Sequence, residues 1–460
     1  MIRTVSFFGH DLNAVRSRLS VVLLASLVLS APAAAQTTAD GFVREAVAAH
    51  RGVAAESLAL ERDQLALGRF RRLYLPAVSV EAQWVEQRGG ADIGALINPA
   101  FDALNRITGG NDFPTDVSFR FPLKQDARFR LAMPLFDGAI GAAVRQADAS
   151  RSAQSARLVA TERDVVAAVR TALLRHGTAA ELVRVRQAGL AALDEQLRAA
   201  EQRAAAGVDA PDVVLRARAE RSEGVQRLLE AERGRDATHR AVNRLARRPL
   251  DAPLPTISDS SFTLTLPATL AEARAAQVHR PELASAEAQV AQATAGRRAA
   301  LAASLPAVQV ALDYGWQGRS WRFTGDQDFT QLTVQARWTP FTFGRNTRRR
   351  AEAALDLRRA ELAREEARDQ LALEVEEAWD ALRVAEAALV PARDRAAAAT
   401  RTAELVRRRW DEGMATHLEL VSARAAATAA EVEVIVTRFQ AAEARVALVR
   451  ATTAIPGSLP

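Results

Sequence analysis

Hydrophobic and polar residues follow two different periods along this chain. Four short runs alternate strictly. Val78, Val80, Ala82 and Trp84 alternate with Ser79, Glu81 and Gln83, and Phe129, Leu131, Met133 and Leu135 with Arg128, Arg130 and Ala132. Val308, Val310, Leu312 and Tyr314 alternate with Gln309, Ala311 and Asp313, and Leu332, Val334, Ala336 and Trp338 with Thr333, Gln335 and Arg337. A period of two predicts strands with one apolar and one polar face. Each run covers about 8–11 residues, the length of a tilted membrane-spanning strand. Soluble hairpins with one buried face share the pattern. The position of Trp84, Tyr314, Trp316 and Trp338 toward strand ends favours lipid, because aromatic rings belong at its interfaces. Two hairpins make four strands, too few to close a barrel alone, so a membrane-spanning form must oligomerise.

Elsewhere the period is near 3.5. Leu418, Val421, Ala425, Thr428, Val432, Ile435, Phe439, Ala442, Val446 and Val449 alternate spacings of three and four, as do Leu371, Val375, Ala378, Leu382, Ala385 and Leu389. Such seams predict left-handed supercoiled helices. Between Gly138 and Ala206, and between Gly344 and Glu412, the only proline is Pro391. Each stretch predicts a helix of about 69 residues, roughly 100 Å long, the second kinked at Pro391. Gly207 and Gly413 mark turns into shorter helices starting near Pro211 and Thr416, so each pair is a helical hairpin. On these helices alone an ordinary coiled coil would suffice.

The chain repeats itself. Leu75-Pro76-Ala77-Val78 returns as Leu305-Pro306-Ala307-Val308, Pro134 returns as Pro340, and Gly207 returns as Gly413. The last two pairs share a separation of 206 positions, whereas Pro76 and Pro306 are 230 apart. The long helices keep register while the segment before them tolerates insertion, as a surface loop does. Gly89 to Lys124 holds the extra length and reads as an extracellular loop. Pro76, Pro134, Pro306 and Pro340 are expected at the four helix–strand joints, since proline continues neither ladder. The expected organisation is a signal peptide at 1–35, a first structural repeat at 36–249, a linker or equatorial segment at 250–267 and a second repeat at 268–460.

Composition narrows this further. Arg3, Arg16 and Arg18, an apolar run from Leu19 to Leu29 and the A-x-A site Ala33-Ala34-Ala35 predict export and cleavage before Gln36. No later apolar run is long enough for a spanning helix. The chain has no cysteine, which excludes disulfides, thiolate metal sites and an acylated lipoprotein anchor. The net charge of +6 invites nucleic acid as a partner. The basic residues, all arginine except Lys124, are instead interleaved with glutamates as on solvated helix faces, as in Arg358 to Glu366. Six histidines are scattered without a pair at ligand spacing, and no nucleophile elbow, phosphate loop or zinc-protease motif occurs. No enzyme and no cofactor are expected.

The duplicated Leu-Pro-Ala-Val entry, the duplicated glycine turn followed by Ala-Arg (Gly207 to Arg218, Gly413 to Arg424) and His279-Arg280-Pro281-Glu282-Leu283 resemble the TolC-like outer membrane efflux protein family over nearly the whole mature chain. The resemblance implies a mostly α fold with membrane β structure: a trimer whose 12-stranded barrel, four strands per chain, continues into a periplasmic α-helical barrel. It implies a passive exit channel in the outer membrane, reaching into the periplasm and served by a periplasmic adaptor and an inner-membrane pump. It places Gly207, Val208, Gly413 and Met414 at adaptor-docking tips. Glu419 and Trp410 fall at the entrance, with Asp212 one place from the matching position in the first repeat. A periplasmic adaptor or structural coiled-coil protein without a membrane barrel is the alternative. It is disfavoured because an adaptor would place one helical hairpin inside nested β-domains.

Overall fold

A computed structural model describes residues 38–86, 92–118, 125–207, 210–318 and 323–452. The expected signal peptide and Val208 lie outside the described residues. The first half runs α1 (Ala39–Ala49), α2 (Arg51–Arg71), β1 (Ala77–Trp84), α3 (Gly94–Thr108), β2 (Gln125–Phe136), α4 (Gly138–Ala205) and α5 (Pro211–Leu245). The second runs α6 (Leu270–Ala276), α7 (Pro281–Ala302), β3 (Ala307–Gly318), β4 (Asp328–Arg337), α8 (Arg345–Ala387), α9 (Leu389–Asp411) and α10 (His417–Thr452). Helix, two strands and a long helical hairpin therefore occur twice. Among the described residues only the first half carries a helix, α3, between its strands.

The strands form one antiparallel sheet in the order β1-β2-β3-β4. Among the described residues both outer strands keep one unpaired edge. Pro76 and Pro306 immediately precede β1 and β3, and Pro340 lies in the turn between β4 and α8. Pro134 departs from expectation. It sits inside β2, opposite Gln309, and Phe136 rather than Leu135 is paired with Val308. Proline has no N–H for the ladder, so the strand accommodates it with a bulge that leaves Leu135 over.

α4 spans 68 residues, about 100 Å at 1.5 Å per residue. The expected single helix over 344–412 is two, of 43 and 23 residues, interrupted at Ala388. The ring of Pro391 crowds the carbonyl four residues earlier, that of Ala387, so the helix breaks there rather than at the proline itself. α4 packs against α2, α5, α7 and α10, and α10 also packs against α8 and α9.

The main buried core lies where the segment joining the halves crosses the helices. It holds Phe42 and Val43 of α1, Val169, Leu173 and Leu174 of α4, Val242 of α5, Ile257, and Ile435, Phe439, Ala442 and Val446 of α10. Gly177 permits this closeness: a Cβ there would lie 2.8 Å from a ring carbon of Phe439 and 3.1 Å from Ile257. The seam of α10 is buried from Ile435 to Val446 and half-buried at Val449, but Leu418 and Ala425, nearer the turn, are exposed.

Beside the core, arginines join four helices. Arg280, fully buried, donates to Glu374 of α8 (2.6 Å) and Glu282 of α7 (3.1 Å). Arg163 of α4 also pairs with Glu282. Arg450 of α10 donates to Asp164 (2.8 Å) and Glu374 (2.5 Å). Burial pushes the Glu282 carboxyl up, but Arg163 and Arg280 outweigh it and hold the group below its ordinary value.

Candidate channel wall and hairpin tips

The register of the sheet lines up the alternating positions of all four strands. Val78, Leu131, Leu312 and Leu332 form one row across it, and Val80, Phe129 and Tyr314 the next. These side chains are exposed: Val78 is 72% accessible, Val80 69% and Leu332 69%. On the polar face the central strands are the covered part, with Ala311, Asp313 and Gly315 of β3 buried and Asp313 only 1% accessible, while β1 and β4 are open on both faces. In a soluble sheet the apolar row, not the charged one, would be the covered part.

On the polar face Arg130 makes a two-pronged pair with Asp313, Nε to Oδ1 at 2.7 Å and Nη2 to Oδ2 at 3.0 Å. Glu81 lies 3.4 Å from Arg130 and 3.6 Å from Arg128, and Arg128 donates to Asp126 at 2.5 Å. The row of charges is cross-strand: Glu81 faces Arg128 and Arg130 faces Asp313. Gly315, opposite Arg128, has no room for a side chain, since a Cβ would lie 2.3 Å from the Ala127 carbonyl oxygen.

Aromatic rings gather at both ends of the sheet. Trp84, Tyr314 and Trp316 mark one end, where Trp316 stacks edge-on with Tyr314 at 5.3 Å and Phe323 at 5.4 Å. Trp338 marks the other, its indole donating to the Ser304 carbonyl (3.0 Å), near the Phe341–Phe343 pair at 4.7 Å. An apolar band between aromatic girdles is the surface of a lipid-embedded barrel.

The far ends of the helical hairpins are built by local rules. Gly207 and Gly413 adopt φ of +74° and +75°, the left-handed conformation that ends a helix. At the second turn Gly413 N–H donates to Trp410 O (3.0 Å) and Met414 N–H to Arg409 O (2.7 Å), the paired bonds of a Schellman motif. At the first, Gly207 N–H donates to Ala204 O at 3.0 Å. Met414 is exposed. Asp212 stands in the first turn of α5, where a carboxylate complements the helix dipole, and is paired with Arg216 at 3.0 Å.

Glu419 is engaged locally. Its Oε2 accepts from the Thr416 N–H (2.7 Å) and hydroxyl (2.9 Å), and the Thr416 hydroxyl in turn accepts from Glu419 N–H (3.3 Å). This is a capping box at the start of α10. The Thr416 backbone N–H, then its hydroxyl, hold the carboxyl below its ordinary value. The Thr416-x-x-Glu419 spacing is itself a sequence signal for that role.

Trp410 joins the two hairpins. The Arg203 guanidinium lies over its ring at 5.3 Å, and the His417 ring is 5.7 Å away. His417 Nε2 is 3.6 Å from Glu220 of α5. Gln196 of α4 donates to Glu220 (3.1 Å) and accepts from Arg424 of α10 (2.6 Å). Burial raises the Glu220 carboxyl above its ordinary value. Local pattern does not reveal the Gln196, Glu220 and Arg424 contacts, which join residues 24 and 228 positions apart.

A sheet apolar outside, charged inside and girdled by aromatics, extended by helices of about 100 Å, defines a class: the subunit of an outer-membrane channel with a long helical conduit. The chain belongs to the outer membrane efflux protein family, whose profile matches residues 125–247 and 273–454. Direct comparison with curated protein sequences finds no match. Solved structures with the same fold include CusC, at 14% identity and TM-score 0.77 over 91% of this chain and 92% of that one. The outer membrane protein VceC of Vibrio cholerae matches at 16% identity and TM-score 0.75, over 90% and 95%. The open state of the MtrE outer membrane channel of Neisseria gonorrhoeae matches at 20% identity and TM-score 0.73, over 91% and 89%.

Proposed function

We propose that three copies of this chain close a 12-stranded barrel through the outer membrane and a helical tunnel across the periplasm. The tunnel would give passive exit to cargo handed over by a periplasmic adaptor and an inner-membrane pump. The observation carrying this reading is the inside-out sheet with two free edges. Lipid offers no hydrogen bonds to an open edge, so β1 and β4 must pair with neighbouring copies. The helices are consistent with the same closure: Leu215 and Leu229 of α5 and Leu355, Leu373 and Val384 of α8 are exposed apolar side chains. Each set would meet the other on the adjacent copy, a head-to-tail contact that closes a ring.

Within this reading the tips at Gly207, Val208, Gly413 and Met414 dock the adaptor, and Glu419, Trp410 and Asp212 border the entrance. Trp410 holds the second hairpin against the first through Arg203. Cleavage of residues 1–35 and the division into repeats at 36–249 and 268–460 belong to the same proposal. Membrane fractionation on a density gradient, followed by the mass of the detergent-extracted protein, tests it. Recovery in the outer-membrane fraction at three times the mature mass is the expected result. A soluble periplasmic or inner-membrane location would favour the adaptor alternative, and a monomer would sink the closed barrel.

A further inference from the structure

The six histidines look scattered in sequence, yet the fold brings His176 of α4 and His239 of α5 together, with ring centroids 5.4 Å apart and planes at 80°. Their hydrogen bonds assign the tautomers. His239 Nε2 lies 2.8 Å from the Ala252 carbonyl and must donate to it, which leaves Nδ1 as a bare lone pair. His176 Nδ1 lies 3.2 Å from the Thr238 hydroxyl. That hydroxyl spends its proton on the Arg235 carbonyl at 2.7 Å, so it accepts from His176 and leaves Nε2 bare.

Each imidazole therefore offers one unprotonated nitrogen while its other N–H is held by the protein. Metal-binding histidines are prepared in this way, with a carbonyl or hydroxyl fixing ring and tautomer from behind. The separation fits as well. A metal–nitrogen bond of about 2.0–2.1 Å puts a ring centroid roughly 3.2 Å from the ion, so two rings on one tetrahedral ion stand about 5.2 Å apart. Both histidines are half-buried, so solvent can supply the remaining positions. Burial, then the neighbouring His239, keep His176 readily neutral, as a ligand must be.

The surroundings limit the choice of ion. The chain lacks cysteine, so no thiolate is available. Among the described residues no cluster of three or more potential ligands occurs, so a caged structural site is not formed. Asp236, the adjacent carboxylate, is taken up by Arg235 at 2.8 Å. Two imidazoles completed by water suit a late first-row divalent ion, of which zinc, copper and nickel are the imidazole-preferring ones. We propose that His176 and His239 form a two-histidine divalent metal site that staples α4 to α5 on the conduit wall. The site lies on the first helical hairpin, beside the segment that joins the two halves, and its ligands belong to one chain. It therefore stands apart from the tip and the barrel, and its test is separate from that of the channel reading.

The experiment uses the tag-free, detergent-solubilised full-length protein. Cobalt titration followed by visible absorption and zinc titration followed by calorimetry should each report one ion per chain. H176Q and H239Q should each weaken zinc binding at least tenfold and the double variant should abolish it, whereas H417Q should leave it unchanged. In the unsubstituted protein, zinc should also protect these two histidines from diethyl pyrocarbonate while His50 continues to react. That readout needs no variant to fold. One-per-chain binding that survives in the double variant, no binding below millimolar zinc, or modification of His176 and His239 undiminished by zinc would each overturn the proposal.

Discussion

Replacing Leu332 and Thr333 by arginine, one at a time, separates a lipid-facing sheet from a water-facing one. The two residues are neighbours in the middle of the 10-residue β4, at the same depth but on opposite faces. Leu332 shares its row with Leu312, Leu131 and Val78, and Thr333 pairs with Ala311 on the polar face. In a bilayer L332R puts a guanidinium at the midplane, costing about 2–4 kcal/mol per chain. If three copies assemble, the cost is about 6–12 kcal/mol for the ring, comparable with the ~5–15 kcal/mol that holds a typical fold together. In water the penalty disappears. Leu332 is already 69% accessible, so an arginine there would alter stability by no more than about 0.5 kcal/mol and would improve solubility. T333R should be near neutral in either case. The assay is outer-membrane yield together with resistance of the assembled species to dissociation on unheated gels. Loss in L332R with retention in T333R is expected. Equal assembly of L332R and the parent would refute the lipid-facing assignment, and equal failure of the two would refute the division of faces.

Other outcomes follow from the helical half. R280A takes one of two arginine partners from each of the half-buried Glu282 and Glu374, leaving Arg163 and Arg450, and should destabilise the chain by about 1.5–3 kcal/mol in denaturant, the range for hydrogen bonds to charged groups; a loss under about 0.5 kcal/mol would mean that the network is slack. Because the folded Glu282 carboxyl lies below its ordinary value of 4.5, it contributes stability above that pH. The contribution is lost as pH falls through the lowered value, since the unfolded chain takes up the proton first. E282Q should flatten the acid limb of a melting-temperature profile, and an unchanged limb would show that Glu282 does not govern it. At Gly413 the φ of +75° with open space around the missing Cβ means that G413V meets strain without a clash, about 1–2 kcal/mol, read as faster proteolysis at the tip. E419Q keeps an acceptor for Thr416 but removes the charge. If Glu419 focuses cations at the entrance, single-channel recordings should show reduced cation preference in E419Q with an intact tip; unaltered selectivity would confine Glu419 to capping α10.

What the sequence determined by itself was everything carried by local period and local chemistry. Strand alternation, the 3.5 seams, the glycine turns at 207 and 413 and the twofold order of elements depend on neighbours within a turn or a pleat, so they survive being read along a line. Even the errors are local ones. Pro134 breaks the ladder from within a strand rather than at its end, and Pro391 disturbs a carbonyl four residues before it. The tertiary structure decided which residues separated by dozens or hundreds of positions meet. It placed Arg130 on Asp313, buried Arg280 between α7 and α8, and drew Trp410, His417 and Glu220 into one tip. It also set His176 against His239. Such contacts depend on the register between elements, and the energy that fixes register is spread over whole helix and strand faces rather than held in any motif.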